Sequence, residues 1–93
     1  MSKATARHIL VKSEELCREL KDQINNGADF AQVASEHSTC PSGKQGGELG
    51  EFSPGMMVRE FDEVVFSAAV NEVHGPVKTQ FGYHLLEITS RTD

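Results

Sequence analysis

The sequence predicts an α+β domain, a small and mostly antiparallel sheet with helices packed on it. Two observations carry this reading. Both ends of the chain alternate with the period of a strand, over Ala4–Val11 and Gly82–Ile88. Between them lie two helical patterns: Leu16, Leu20 and Ile24 recur every four residues, and Phe61, Val64, Val65 and Ala68 fall at i, i+3, i+4 and i+7. A glycine-rich stretch separates these patterns, and the order reads β-α-α-loop-β-α-β-β.

The first strand is Lys3–Lys12, with His8 alternating in register with Ala6 and Leu10. Ser13 is placed to N-cap a helix, with Glu14 and Glu15 in its first turn, where negative charge suits the helix dipole. Asn25-Asn26-Gly27 ends it, glycine supplying the left-handed exit. Asp29 followed by Gln32 is a capping-box variant that opens a second helix with Phe30, Val33 and Ala34 inward and His37 on the surface near its end. Ser38–Gly50 has loop composition. Glu51–Ser53 is expected as a short strand, Pro54-Gly55 as a turn, Val58–Ser67 as a helix and Asn71–Gly75 as a loop. Pro76–Lys78 begins another short strand. The last strand sets His84, Leu86 and Ile88 on one face and Tyr83, Leu85 and Glu87 on the other. One histidine in each terminal strand suggests that these strands lie side by side at the centre, with His8 and His84 meeting under one site.

Composition narrows the classes of function. The 93 residues make one domain, 1–93, with room for one modest core. A net charge of −5 argues against nucleic acid or an anionic membrane as partner. No apolar run approaches the roughly 20 residues of a membrane helix. No basic segment followed by an apolar one opens the chain, so a cytoplasmic address is expected. Cys17 and Cys40 do not form a disulfide framework and read as two free thiols.

The groups able to carry chemistry are His8, Cys40, Thr79 and His84, each with a plainer alternative. Either histidine alone could be a satisfied core residue, but two on adjacent strands each need a partner, and Thr79 beside them would complete a hydrogen-bonded chain. Cys17 lies beside Leu16 and Leu20 and reads as core filler, whereas Cys40 sits in a loop before a proline. Met57 and Phe61, four apart, would usually be a core stripe. With Leu49 and Phe81 they could line a small apolar cup. The glycines of the loop match neither the Walker nor the dinucleotide pattern and read as turn and close-approach positions. Cys40, His8, His84 and His37 lack any paired zinc spacing, and no motif supplies a cysteine hydrolase with an oriented base or oxyanion hole. No metal or cofactor is expected.

Taken together, these stretches resemble the parvulin-type peptidyl-prolyl isomerases, most of all the small single-domain bacterial ones. The matching pieces run in order: Arg7-His8-Ile9-Leu10-Val11, Gly27-Ala28-Asp29-Phe30, Ser42-Gly43 with Gly46-Gly47-Glu48-Leu49-Gly50, Phe61-Asp62 with Val65-Phe66, and Gly75-Pro76-Val77 with Thr79 and Phe81-Gly82-Tyr83-His84. The resemblance implies a βαααβαββ fold with a four-stranded antiparallel sheet, and places a third, short helix near Pro41–Gly43. It implies catalytic roles for His8, Cys40, Thr79 and His84, a proline pocket of Leu49, Met57 and Phe61, and an aromatic position at Phe81.

The implied activity is non-covalent cis/trans isomerisation of Xaa-Pro bonds in peptides and unfolded proteins, by a monomer. The alternative is a non-catalytic module that holds such segments as a chaperone. Two departures stand out. Lys12-Ser13-Glu14-Glu15 replaces the arginine cluster of the phosphate-directed eukaryotic members, so phosphorylated substrates are not expected to be preferred. Glu60 stands where many members have proline before the pocket phenylalanine, which should alter the rim and not the chemistry.

Overall fold

A computed structural model of the chain describes residues 3–92. Met1, Ser2 and Asp93, the ends of the expected 1–93 domain, lie outside the described residues. The elements follow as β1 (Lys3–Val11), α1 (Glu14–Asn25), α2 (Phe30–His37), a 3-10 helix (Pro41–Gln45), β2 (Glu48–Phe52), α3 (Arg59–Val65), β3 (Val73–Thr79) and β4 (Gly82–Thr92). The sheet order is β2-β1-β4-β3, with each neighbouring pair antiparallel. The two terminal strands therefore form the central pair, as the histidine in each suggests. The short third helix is present and runs two residues past the stretch the resemblance suggests.

Local signals decide the helix starts. Ser13 Oγ accepts the Leu16 N–H, and Asp29 Oδ2 accepts the Gln32 N–H. The Gln32 side chain reaches Glu36, so only half of the capping box forms. Gly27, at φ +112°, provides the left-handed exit from α1.

Helices cover both faces of the central strands. On one face Ile9, Val11 and Leu85 pack with Cys17, Leu20, Phe30, Val33 and Ala34 of α1 and α2. On the other Ala4, Ala6, Leu86 and Ile88 pack with Phe52, Phe61 and Val65. His8 and His84 share this second face. Burial pushes the Cys17 thiol up to about 11, which suits its place as filler.

Several boundaries differ from the sequence expectation: β1 ends one residue early, at Val11, β4 runs on to Thr92, and the starts of β2 and β3 shift for a long-range reason. β2 begins at Glu48, inside the stretch read as loop. Gly47 C=O accepts the His8 N–H at 2.9 Å and Glu48 pairs with Arg7, so pairing starts as the chain leaves the Gly46-Gly47 turn. β3 begins at Val73, because Val73 and His74 pair with Glu87 and Leu86. Its register breaks between His74 and Val77, around Gly75-Pro76, an edge-strand irregularity that a local reading takes for a boundary. The third α-helix is Arg59–Val65 and not Val58–Ser67, since Val58 is the extended N-cap and Phe66 the C-cap.

Gly47→Ala is expected to be severe. Gly47 has φ +83°, and a Cβ there would collide with the His8 backbone carbonyl oxygen, which cannot rotate aside. Strain and a separated β1–β2 edge should together cost about 3 kcal/mol. A urea unfolding midpoint within experimental error of the parent would contradict this.

Candidate active site

The antiparallel register of β1 and β4 sets Leu10 opposite His84 and His8 opposite Leu86. The two histidines are thus diagonal neighbours on one face, within side-chain reach. Their Nδ1 atoms lie 3.1 Å apart and their rings stack with an interplanar angle of 18°. Thr79, at the end of β3, places Oγ1 2.7 Å from His84 Nε2 and accepts the Phe81 N–H at 3.2 Å. All three side chains are buried.

One assignment of protons satisfies this chain throughout. Phe81 N–H donates to Thr79 Oγ1, Thr79 O–H donates to His84 Nε2, and His84 Nδ1–H donates to His8 Nδ1. Only one proton fits between the two Nδ1 atoms. Burial, and then the His84 charge, lowers His8 from 6.5 to about 4, and burial also lowers His84. Near neutral pH the pair is therefore uncharged. Phe61 of α3 presents its ring edge-to-face to both imidazoles, at centroid separations of 5.8 and 5.9 Å.

Cys40 arrives by a different route. β1 extends past its pairing with β2, and the chain after α2 docks on that edge. Ser38 Oγ accepts the Leu10 N–H at 3.0 Å and the Cys40 N–H at 3.3 Å, while Thr39 N–H donates to the Leu10 C=O at 2.7 Å. The loop folds back over the histidines and leaves Cys40 half-buried and outside any disulfide.

The result is a cleft of about 380 Å³ lined by His8, His84, Cys40, Leu49, Met57, Phe61 and Phe81. Thr79 is the one expected site residue outside this lining, since it sits behind His84 and acts on the ring. Phe81 is 59% exposed and forms rim, not wall. Met57 lies before α3, so it and Phe61 do not share a helical stripe; the loop carries Met57 to the cleft. Leu10, Thr39, Pro41 and Val58 also line it and were not singled out in the sequence. Leu10 was findable, being two residues from His8 on the same face of a strand. His37 lies exposed at the end of α2, within 3.9 Å of Glu36, away from the other three residues weighed as ligands.

A larger open depression of about 520 Å³ lies against α1, between Asn25 and Asn71–His74. Two of its polar side chains are already engaged, Glu87 by Arg7 at 2.6 Å and His74 by the Ala69 carbonyl at 2.8 Å. The histidine cleft is apolar with a few convergent polar groups, the form expected of a binding site.

Comparison with known proteins agrees with this geometry. The profile of the PPIC-type PPIase domain matches residues 1–92. Foldase protein PrsA 4 of Bacillus cereus is 44% identical over 92 residues, covering 98% of this chain and 33% of that protein. Foldase protein PrsA of Geobacillus kaustophilus is 46% identical over 90 residues, covering 96% of this chain and 32% of that protein. The chain thus spans about a third of the length of these curated relatives. The solution structure of NmPin, the parvulin of Nitrosopumilus maritimus, superposes with a TM-score of 0.87 at 34% identity, covering 97% of this chain and 98% of that one. With the fold, the cleft and the matched length in agreement, the chain belongs to the PPIC-type peptidyl-prolyl cis/trans isomerase family, the parvulins.

Proposed function

We propose that this domain isomerises Xaa-Pro bonds in unfolded or partly folded protein segments, and that the cleft is its active site. The observation that carries the reading is an apolar cleft of about 380 Å³ floored by a hydrogen-bonded histidine pair, with Cys40 on its wall. Rotation about the prolyl bond faces a barrier of about 18–20 kcal/mol from amide resonance. No bond has to break. Leu49, Met57 and Phe61 hold the proline ring while the preceding carbonyl turns. Removing water from that carbonyl disfavours the charge-separated planar amide relative to the twisted one. Lowering the barrier by about 4 kcal/mol accelerates exchange roughly a thousandfold.

In this mechanism His8, His84 and Thr79 keep the floor rigid, and Cys40 tunes the field on the rotating carbonyl without attacking it. Phe81 contacts the substrate from the rim. Lys12-Ser13-Glu14-Glu15 is exposed and carries two acids to one lysine, which supports a preference for unphosphorylated segments. The protein acts as a monomer with no cofactor.

The test is two-dimensional exchange NMR on Ala-Xaa-Pro-Phe peptides with Xaa as Leu, Glu or phosphoserine. Cis/trans exchange peaks at catalytic protein concentration, strongest for Leu, are expected. Shifted resonances without faster exchange would replace catalysis by holding, a reading that the exposed Met56 and Phe81 favour. Cys40→Ser is expected to keep at least about a tenth of the parent rate, a change of up to about 1.4 kcal/mol in barrier. Near-total loss with a trapped acyl adduct would instead make Cys40 a nucleophile.

A further inference from the structure

Asp62 takes no part in the mechanism above, yet its surroundings are specific. It lies in the first turn of α3, directly after Phe61. Its Oδ2 reaches back seven residues and accepts the Gly55 N–H at 2.9 Å. Its Oδ1 is buried and has no hydrogen-bond partner among the described residues. A buried oxygen left unmet opposes stability. The nearby helix N-terminus offsets part of this cost, since it favours negative charge.

The geometry of the bound turn explains what the contact does. Ser53-Pro54-Gly55-Met56 is closed by Met56 N–H donating to the Ser53 C=O at 3.2 Å, and Gly55 has φ +90°. Proline then glycine with positive φ are the central residues of a type II turn. The N–H of the glycine in such a turn is not used by the turn's own bond, and here Asp62 takes it. The chain between this anchor and the start of α3 is only Met56-Met57-Val58, and Met57 and Val58 both line the cleft. Met57 is thus suspended between two fixed points, one of which is the Asp62–Gly55 bond.

We propose that Asp62 is a positioning residue for proline binding: it pins the Pro54-Gly55 turn to α3 and so sets Met57 as a wall of the cleft. The inference rests on the reading of the cleft as the proline site. Asp62 touches no substrate, and its effect passes through Met57.

The experiment is a double-mutant cycle on the full chain, with kcat and KM from peptide exchange well below every variant's unfolding transition. Asp62→Ala should raise KM about fivefold with kcat changed less than about twofold, the pattern of lost uniform binding. Met57→Ala should raise KM similarly. The double variant should exceed Met57→Ala by less than about twofold, because two residues acting through one wall do not add. Asp62→Asn keeps an acceptor for Gly55 and should restore KM to within about twofold of the parent. Amide exchange gives an independent reading, with the Gly55 N–H protected in the parent and in Asp62→Asn and unprotected in Asp62→Ala.

Additive effects of Asp62→Ala and Met57→Ala would overturn the proposal, as would an unchanged KM. So would an unprotected Gly55 amide in the parent, which needs no variant to fold. A role confined to the helix dipole would lower the unfolding temperature of both Asp62 variants and leave KM alone. If the parent neither binds nor isomerises the peptide, it is the reading of the cleft that fails; parent activity with an indifferent Asp62→Ala sinks only this inference.

Discussion

Phe61→Ala is expected to destabilise the domain by about 3–4 kcal/mol and to lower kcat/KM at least about tenfold. Phe61 is 3% exposed, and its ring meets three others, those of His8, His84 and Phe52. Truncation removes that buried area and leaves a cavity beside a rigid polar chain, which has little freedom to collapse into it. The same ring is a wall of the cleft, so binding suffers too. Phe61→Leu separates the two effects. Leucine refills much of the volume and should return most of the stability, with a residual cost of about 1 kcal/mol. It offers no flat ring to the histidines or to proline, so activity should stay depressed. Urea unfolding and peptide exchange on the same samples check both claims. A Phe61→Ala protein within about 1 kcal/mol of the parent would mean that the ring is not a keystone of this face.

Acid is expected to unfold the domain from an unusually high pH. His8 titrates near 4 in the folded state against 6.5 for an unperturbed histidine, and His84 is also lowered. Between those values the unfolded chain binds more protons than the folded one, so stability rises with pH through this window. The contribution is fully present above about 6.5 and is lost as pH falls toward about 4. For His8 it amounts to about 3 kcal/mol, a large share of the stability of a domain this size. The pair does not simply double this figure, because one proton serves the Nδ1–Nδ1 contact and the second protonation must break it.

Much of the window, roughly pH 5 to 6.5, lies above the range of ordinary carboxylates and isolates the histidines. Urea midpoints at half-unit steps from pH 7.5 to 4.5 measure the slope. His8→Phe should flatten the slope. Constant stability from pH 7 to 5 in the parent would contradict a buried, neutral pair. Activity should fall in step, since two facing N–H groups at 3.1 Å repel and the floor of the cleft would open.

The pattern of what was legible in the sequence follows the range of the forces involved. Alternation along Ala4–Val11 and Gly82–Ile88 marks strands, and one histidine in each suggests that they lie side by side at the centre. Ser13 and Asp29 announce their helices because a cap bonds to a backbone three residues away. The pairing of His8 with His84 was inferable because period two puts each on a definite face. By contrast, the starts of β2 and β3 depend on pairing with residues of other strands, Arg7 for Glu48 and Glu87 for Val73, and Gly75-Pro76 carries a turn signal inside a strand.

The same division runs through the site. The chain by itself determined the α+β class, the histidine pair, and seven of the residues that line the cleft. Those features rest on side-chain periodicity and local chemistry, which are written within a few residues. Only the tertiary structure decided that Ser38 ties the Cys40 loop to Leu10, that Met57 reaches the cleft from a loop and not from a helix, and that Asp62 holds the turn beside it. Each of these is a hydrogen bond or a contact between separate elements, whose partners become neighbours only when the sheet and helices bury their apolar faces together.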